Sequence, residues 1–152
     1  MRIMIDILTP KQCMLFWKLS EELKRRGHRV FNVSRQYREV VNLLKLKRLE
    51  AKIIGRHGGK ELAGKLKASA HRILELASYF EEVDPDVAVS FSSPEMARVS
   101  YGLGVPHICI NDSPHAEAVA KLTIPLSTKL LGPKIIPKES WTRYGISEDR
   151  IK

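Results

Sequence analysis

The densest group of reactive side chains is Asn111-Asp112-Ser113-Pro114-His115-Ala116-Glu117. An imidazole and two carboxylates in one short segment could move protons, because histidine titrates near neutrality and a partly buried carboxylate can be shifted toward it. His115, Asp112 and Glu117 are therefore the catalytic candidates, and Asn111 and Ser113 are candidate substrate-binding groups beside them. The same run also reads as a helix cap followed by acids that a helix dipole favours. A second group, Gly55-Arg56-His57-Gly58-Gly59-Lys60, is glycine-rich and cationic. Successive N–H groups of such a loop can form a nest for an anion, which makes Arg56, His57, Gly58 and Gly59 candidate substrate-binding residues. Glycine clusters equally mark plain loops.

Thr9-Pro10, Ser93-Pro94 and Ser113-Pro114 each follow an apolar run and read as helix starts, with the hydroxyl as N-cap and proline at the first helical position. Gln12 would complete a capping box behind Thr9. In a parallel sheet the strand C-termini share one edge, so three helix N-termini are expected to converge there and favour anions. Thr9, Ser92 and Ser93 join the substrate-binding candidates on that ground, unless their hydroxyls are caps and nothing more. Asp6, inside the apolar first run, is either paired structurally or aimed into the crevice mouth. Ser90 and Ser92 alternate with Phe91 and so share one sheet face, turned to a helix or to a ligand.

Several chemistries are disfavoured. The first strand-to-helix turn, Ile7-Leu8-Thr9-Pro10-Lys11, lacks the G-x-G-x-x-G of dinucleotide sites, and no G-x-x-x-x-G-K-[ST] occurs. The histidines are scattered, and the Asp84-Pro85-Asp86 pair reads as a helix break, so neither a metal nor a bound cofactor is expected. Cys13 and Cys109 sit in apolar patterns without ligand spacing and read as buried free thiols.

The elements that must position these residues follow a repeated cycle. Apolar runs at Arg2–Leu8, His28–Val33, Ala51–Ile54, Val87–Phe91, Val105–Ile110 and Leu130–Leu131 read as strands. Helical spacing connects them from Pro10 to Gly27, Arg35 to Leu49, Glu61 to Glu82, after Ser93, and after Ser113. Alternation of this kind implies right-handed crossovers and an α/β fold: a Rossmann-like doubly wound parallel sheet of about six strands in three α/β/α layers. The usual order 3-2-1-4-5-6 puts the ligand crevice between the first and fourth strands, near Thr9 and Ser92-Ser93. The 152 residues suit one domain, 1–152, and Trp17, Trp141 and Tyr144 read as core or domain-interface residues.

The net charge of +9 is uneven: +5 over residues 1–41, +7 over 42–72 and −3 over 73–152. A basic first half attracts polyanions such as nucleic acid, anionic headgroups or phosphorylated substrates, or it is simply the solvated surface of a heat-adapted protein. A non-catalytic basic module is thus an alternative function, but no nucleic-acid motif or aromatic interleaving accompanies the charge, and nucleic acid is disfavoured as partner. No run approaches the ~20 apolar residues of a membrane span, and the N-terminus lacks signal-peptide anatomy, so a cytoplasmic location is expected, with peripheral membrane association compatible with the basic half.

The segments Arg2-Ile3-Met4-Ile5-Asp6-Ile7-Leu8-Thr9-Pro10-Lys11, Gly55-Arg56-His57-Gly58-Gly59, Val89-Ser90-Phe91-Ser92-Ser93-Pro94-Glu95 and Ile110-Asn111-Asp112-Ser113-Pro114-His115-Ala116-Glu117 together resemble a family of unknown function common in archaea. That family is itself similar to GT-B glycosyltransferases and UDP-N-acetylglucosamine 2-epimerases. The resemblance implies the acceptor-binding N-terminal half of a GT-B type enzyme, inactive until a missing or separate C-terminal donor-binding domain completes it. It further implies a nucleotide-sugar such as a UDP-sugar as substrate, a phosphorylated or lipid-linked acceptor, and room for a homodimer. In the epimerase-like alternative Glu117-Ala118-Val119-Ala120-Lys121-Leu122-Thr123 is similar to a helix that lies beside the sugar, while Ser90-Phe91-Ser92-Ser93 stands where the epimerases carry a Gly-Asp-Thr type turn.

Overall fold

The apolar runs do form strands. In the computed structural model, which describes residues 1–152, these are β1 (Arg2–Ile7), β2 (Arg29–Gln36), β3 (Lys52–Arg56), β4 (Val87–Phe91), β5 (His107–Ile110) and β6 (Lys129–Leu131). They make one sheet in the order β3-β2-β1-β4-β5-β6, parallel throughout. The helices are α1 (Pro10–Arg25), α2 (Arg38–Leu46), α3 (Leu62–Val83), α4 (Pro94–Gly102), α5 (Glu117–Thr123) and α6 (Glu139–Thr142). None is long and apolar enough to cross a membrane.

Strand periodicity explains the three layers. In β1, Ile3, Ile5 and Ile7 pack with Cys13 and Phe16 of α1 and Val40 and Leu44 of α2 on one face. Met4 packs on the other face with Leu76 and Phe80 of α3 and Met96 and Val99 of α4. Asp6 shares the face of Met4, which places a carboxylate under α3 and α4. A third cluster joins Cys109, Leu130 and the C-terminal segment through Trp141, Tyr144 and Ile151, and Ile151 pairs with Leu130 beside β6. Both cysteines are free and buried.

Several element boundaries differ from the sequence reading. Strand β2 runs on to Gln36, with the Ser34 hydroxyl donating to the Ile7 carbonyl (2.6 Å), so α2 spans only Arg38–Leu46. Strand β3 includes Gly55 and Arg56. Gly55 has φ +72, and a Cβ there would lie 2.9 Å from Cγ of Arg72, so glycine lets the strand pass that side chain. Ser113-Pro114 does not open α5. Asn111 Oδ1 accepts the Ser113 N–H (2.7 Å), an Asx turn that delays the helix to Glu117, with uncapped Ala116 before it. The capping box at α1 is also only half formed: Thr9 accepts from Gln12 N (3.3 Å), but the Gln12 side chain accepts from Leu8 N (2.7 Å) instead of Thr9 N.

Candidate functional site

Three loops meet at the C-terminal edge of the adjacent strands β1, β4 and β5. Neighbouring strands are ~4.8 Å apart, so Thr9, Ser92 and Asn111 stand within about 10 Å of sheet width. Side chains knit the loops together. Gln12 Nε2 donates to the Phe91 carbonyl (3.2 Å), joining the first loop to the end of β4. Lys11 Nζ donates to Asp112 Oδ2 (2.5 Å) and lies 4.9 Å from the Phe91 ring centre. Ser92 Oγ donates to the Ile110 carbonyl (3.0 Å). Ser92 has φ 54, in the left-handed region that residues with a Cβ seldom occupy. A strained residue held at a topological switch point marks a place where backbone direction matters more than local comfort.

The candidate residues divide by how free they are. Ser93 is fully buried, and its hydroxyl caps α4 by accepting from Met96 N (3.2 Å) while donating to Glu95 (3.3 Å). Thr9 caps α1. Asn111 is buried and shapes the loop through its Asx turn. Asp112 accepts from Lys11 and from the Ser113 hydroxyl (2.8 Å), and the Lys11 ammonium foremost holds its carboxyl below the usual range. Glu117 is exposed and paired with Lys121 (3.1 Å), which likewise lowers it. A carboxylate held ionised in this way is a weak proton acceptor. His115 is exposed on the loop between them, and of the three catalytic candidates it is the one not engaged with another side chain. The loop is pinned from the C-terminal segment, where Arg143 and Tyr144 both donate to the Pro114 carbonyl (3.0 and 2.5 Å).

The sequence reading missed a buried ionic cluster directly beneath the switch point. Arg72, 2% exposed, donates from Nη1 and Nη2 to the two oxygens of Asp6 (2.9 and 2.6 Å) and from Nε to the Ile54 carbonyl (3.0 Å). Glu95 stands 3.7 Å from Arg72. Burial works against the Arg72 charge, but Asp6 and Glu95 outweigh it and hold the guanidinium protonated. Asp6 is thus paired structurally. Arg35, at the end of β2, faces the same cluster with its Nε buried and unpartnered, and desolvation lowers its guanidinium. The acid inside an apolar strand was the one legible signal; its partner lies 66 positions away.

A second unforeseen chain runs under β4 and β5. His107 is fully buried between Ser90 Oγ on Nε2 (2.9 Å) and Ser127 Oγ on Nδ1 (2.9 Å). Ser127 donates to the Thr123 carbonyl and Ser90 accepts from Ser93 N. The chain is satisfied by a neutral ring carrying its proton on Nδ1. Burial accordingly pushes His107 down to about 4. No three His, Cys, Asp or Glu side chains converge to hold a metal ion.

The loop Arg56–Gly59 is not brought to these three loops. Strand β3 is separated from β5 by β2, β1 and β4, so the two groups of candidates stand about 19 Å apart along the same edge. A family model described as "Protein of unknown function (DUF354)" matches residues 1–152. The chain belongs to this DUF354 family. A similar protein is an uncharacterized protein of Methanocaldococcus jannaschii, 29% identical over 143 residues that cover 94% of this chain and 42% of the relative. Among solved structures, the UDP-GlcNAc 2-epimerase of Methanocaldococcus jannaschii in complex with UDP-GlcNAc and UDP superposes with TM-score 0.81 at 18% identity, covering 100% of this chain and 46% of the other. MurG of Acinetobacter baumannii superposes with TM-score 0.72 at 16% identity, covering 90% and 43%. At such identities the likeness is one of fold: the DUF354 chain resembles the N-terminal half of GT-B enzymes, epimerases and glycosyltransferases alike. It spans less than half the length of the proteins it matches.

Proposed function

We propose that the chain is the acceptor-binding half of a GT-B type, glycosyltransferase-like sugar-nucleotide enzyme that works with a second, donor-binding domain. The observation that carries this reading is the meeting of three cross-linked loops at the ends of β1, β4 and β5, one of which carries an exposed, unpartnered imidazole, His115. In the reaction, His115 takes the proton of the acceptor hydroxyl as that oxygen bonds to the anomeric carbon and the nucleotide departs with the bonding electrons. Lys11 and Asp112 position the loop, and the Ser92 and Thr9 region offers hydroxyl and backbone contacts to the acceptor. The nucleotide binds on the second domain, so the lone chain turns nothing over.

The fold neighbours that act on or are complexed with UDP-GlcNAc support a UDP-sugar donor. An epimerase-like reading would ask Glu117 to transfer protons at the sugar, and its pairing with Lys121 at 3.1 Å on the exposed face of α5 speaks against that role. The test is calorimetric titration with UDP and UDP-GlcNAc of this chain alone and mixed with the part of the M. jannaschii relative that it does not match, followed by UDP release assays. Nucleotide binding only in the mixture, and UDP release lost by at least about 100-fold on His115→Ala, are expected. Unchanged release would remove His115 from the mechanism, and nucleotide binding by the lone chain would overturn the division of labour.

A further inference from the structure

A cleft of about 860 Å³ lies away from these loops, between the end of β3 with the segment following it and one stripe of α3. Its size is that of a small-molecule site, yet of its ten lining residues only Ala68 is apolar. Gly64, Lys67 and His71 recur along α3 at the spacing that puts side chains on one helix face, and Arg56 and His57 face them from the strand end. The one acid in the lining, Glu75, is already engaged by the Gly55 N–H at 3.0 Å.

Two features make this cleft a built site for a compact anion. The first is its rigid floor. A Cβ on Gly58 would lie 2.5 Å from Cα of Lys65, and a Cβ on Gly64 would lie 2.5 Å from the Gly58 carbonyl oxygen. The two backbones touch, which only glycine at both positions permits. The second is an aimed donor. His57 stacks on Tyr37 (centres 5.3 Å apart, 24° between planes), and its Nδ1 accepts the Gly59 N–H (3.1 Å). That hydrogen bond puts the ring proton of a neutral His57 on Nε2, where it can be donated outward.

We propose that this cleft binds a phosphate or diphosphate group, held by Arg56, Lys67, the His57 and His71 rings and the loop backbone, about 19 Å from the His115 loop along the sheet edge. The proposal extends the acceptor-binding reading above, on which it rests for the role of the ligand, but its test needs only the lone chain. The group belongs to a small molecule or to a lipid: Leu62 and Leu66, 82% and 72% exposed on the adjoining turns of α3, would lie along an alkyl chain.

The experiment is calorimetric titration of the chain with inorganic pyrophosphate, compared with a double variant Arg56→Ala, Lys67→Ala and with a control, Lys24→Ala, Arg29→Ala, that removes the same charge from the basic half elsewhere. Saturable binding by the parent and control, weakened at least about tenfold (~1.4 kcal/mol) in the cleft variant with its thermal midpoint kept, is expected. Displacement of pyrophosphate by glucose 1-phosphate or by phosphatidic acid vesicles, with phosphatidylcholine vesicles as blank, assigns the source as soluble or lipid-borne. Absence of saturable binding, equal loss in the control, or binding of a short DNA duplex that pyrophosphate does not displace would overturn the proposal. Phosphate binding without UDP release in the mixture would sink the transfer reading alone, and the reverse would sink only this one.

Discussion

Replacing Arg72 by methionine, which has similar length and no charge, tests the buried cluster under the switch point. The substitution removes both donors to Asp6, which is 0% exposed, and the donor to the Ile54 carbonyl. Stranding a buried carboxylate in this way costs about 3–5 kcal/mol. A domain of this size has roughly 5–15 kcal/mol in total, so much of the stability would go. With an m-value of about 2 kcal/mol/M in urea, the midpoint followed by far-ultraviolet circular dichroism should fall by about 1.5–2.5 M at pH 7. Adding Asp6→Leu should recover most of the loss, because an apolar pair of similar volume has no charge to desolvate, while Glu95 keeps the Ser93 hydroxyl. A single variant within about 1 kcal/mol of the parent, or a double variant no better than the single, would refute the argument that Asp6 depends on Arg72.

His107, held by burial at about 4 instead of the usual 6.5, should make the protein acid-sensitive. Unfolding lets the ring take a proton that the folded state refuses, so stability is complete above pH 6.5 and falls toward pH 4, by about 2 kcal/mol at pH 5; urea midpoints should show that slope, and His107→Gln should flatten it. Ser93→Ala removes the α4 cap and a donor to buried Glu95, with an expected loss of about 1–2 kcal/mol in the same titration. Gly58→Ala drives a methyl group into the α3 backbone and should cost about 1–3 kcal/mol together with pyrophosphate affinity, measured by calorimetry. Cys13 and Cys109 are buried, with burial raising both thiols; Ellman's reagent should find neither until urea unfolds the chain.

Strand and helix alternation, the parallel sheet and its order were legible because they rest on periodicity and on a handedness rule that applies to every crossover. The caps at Thr9 and Ser93 were legible for a similar reason: a cap is a contact between residues three apart. The start of α5 was misread although it too is local, since an Asx turn and a helix cap draw on the same residue types and Asn111 chose the turn. Nothing local announces that Asp6 meets Arg72, that Lys11 holds Asp112 across 101 positions, or that Arg56–Gly59 lies far from His115. The residue types of the site were thus set by the sequence alone. Which of them are spent on each other, and which remain free for a ligand, was decided by the tertiary structure, because strand order and register bring distant side chains to one edge and then pair, bury or expose their charges.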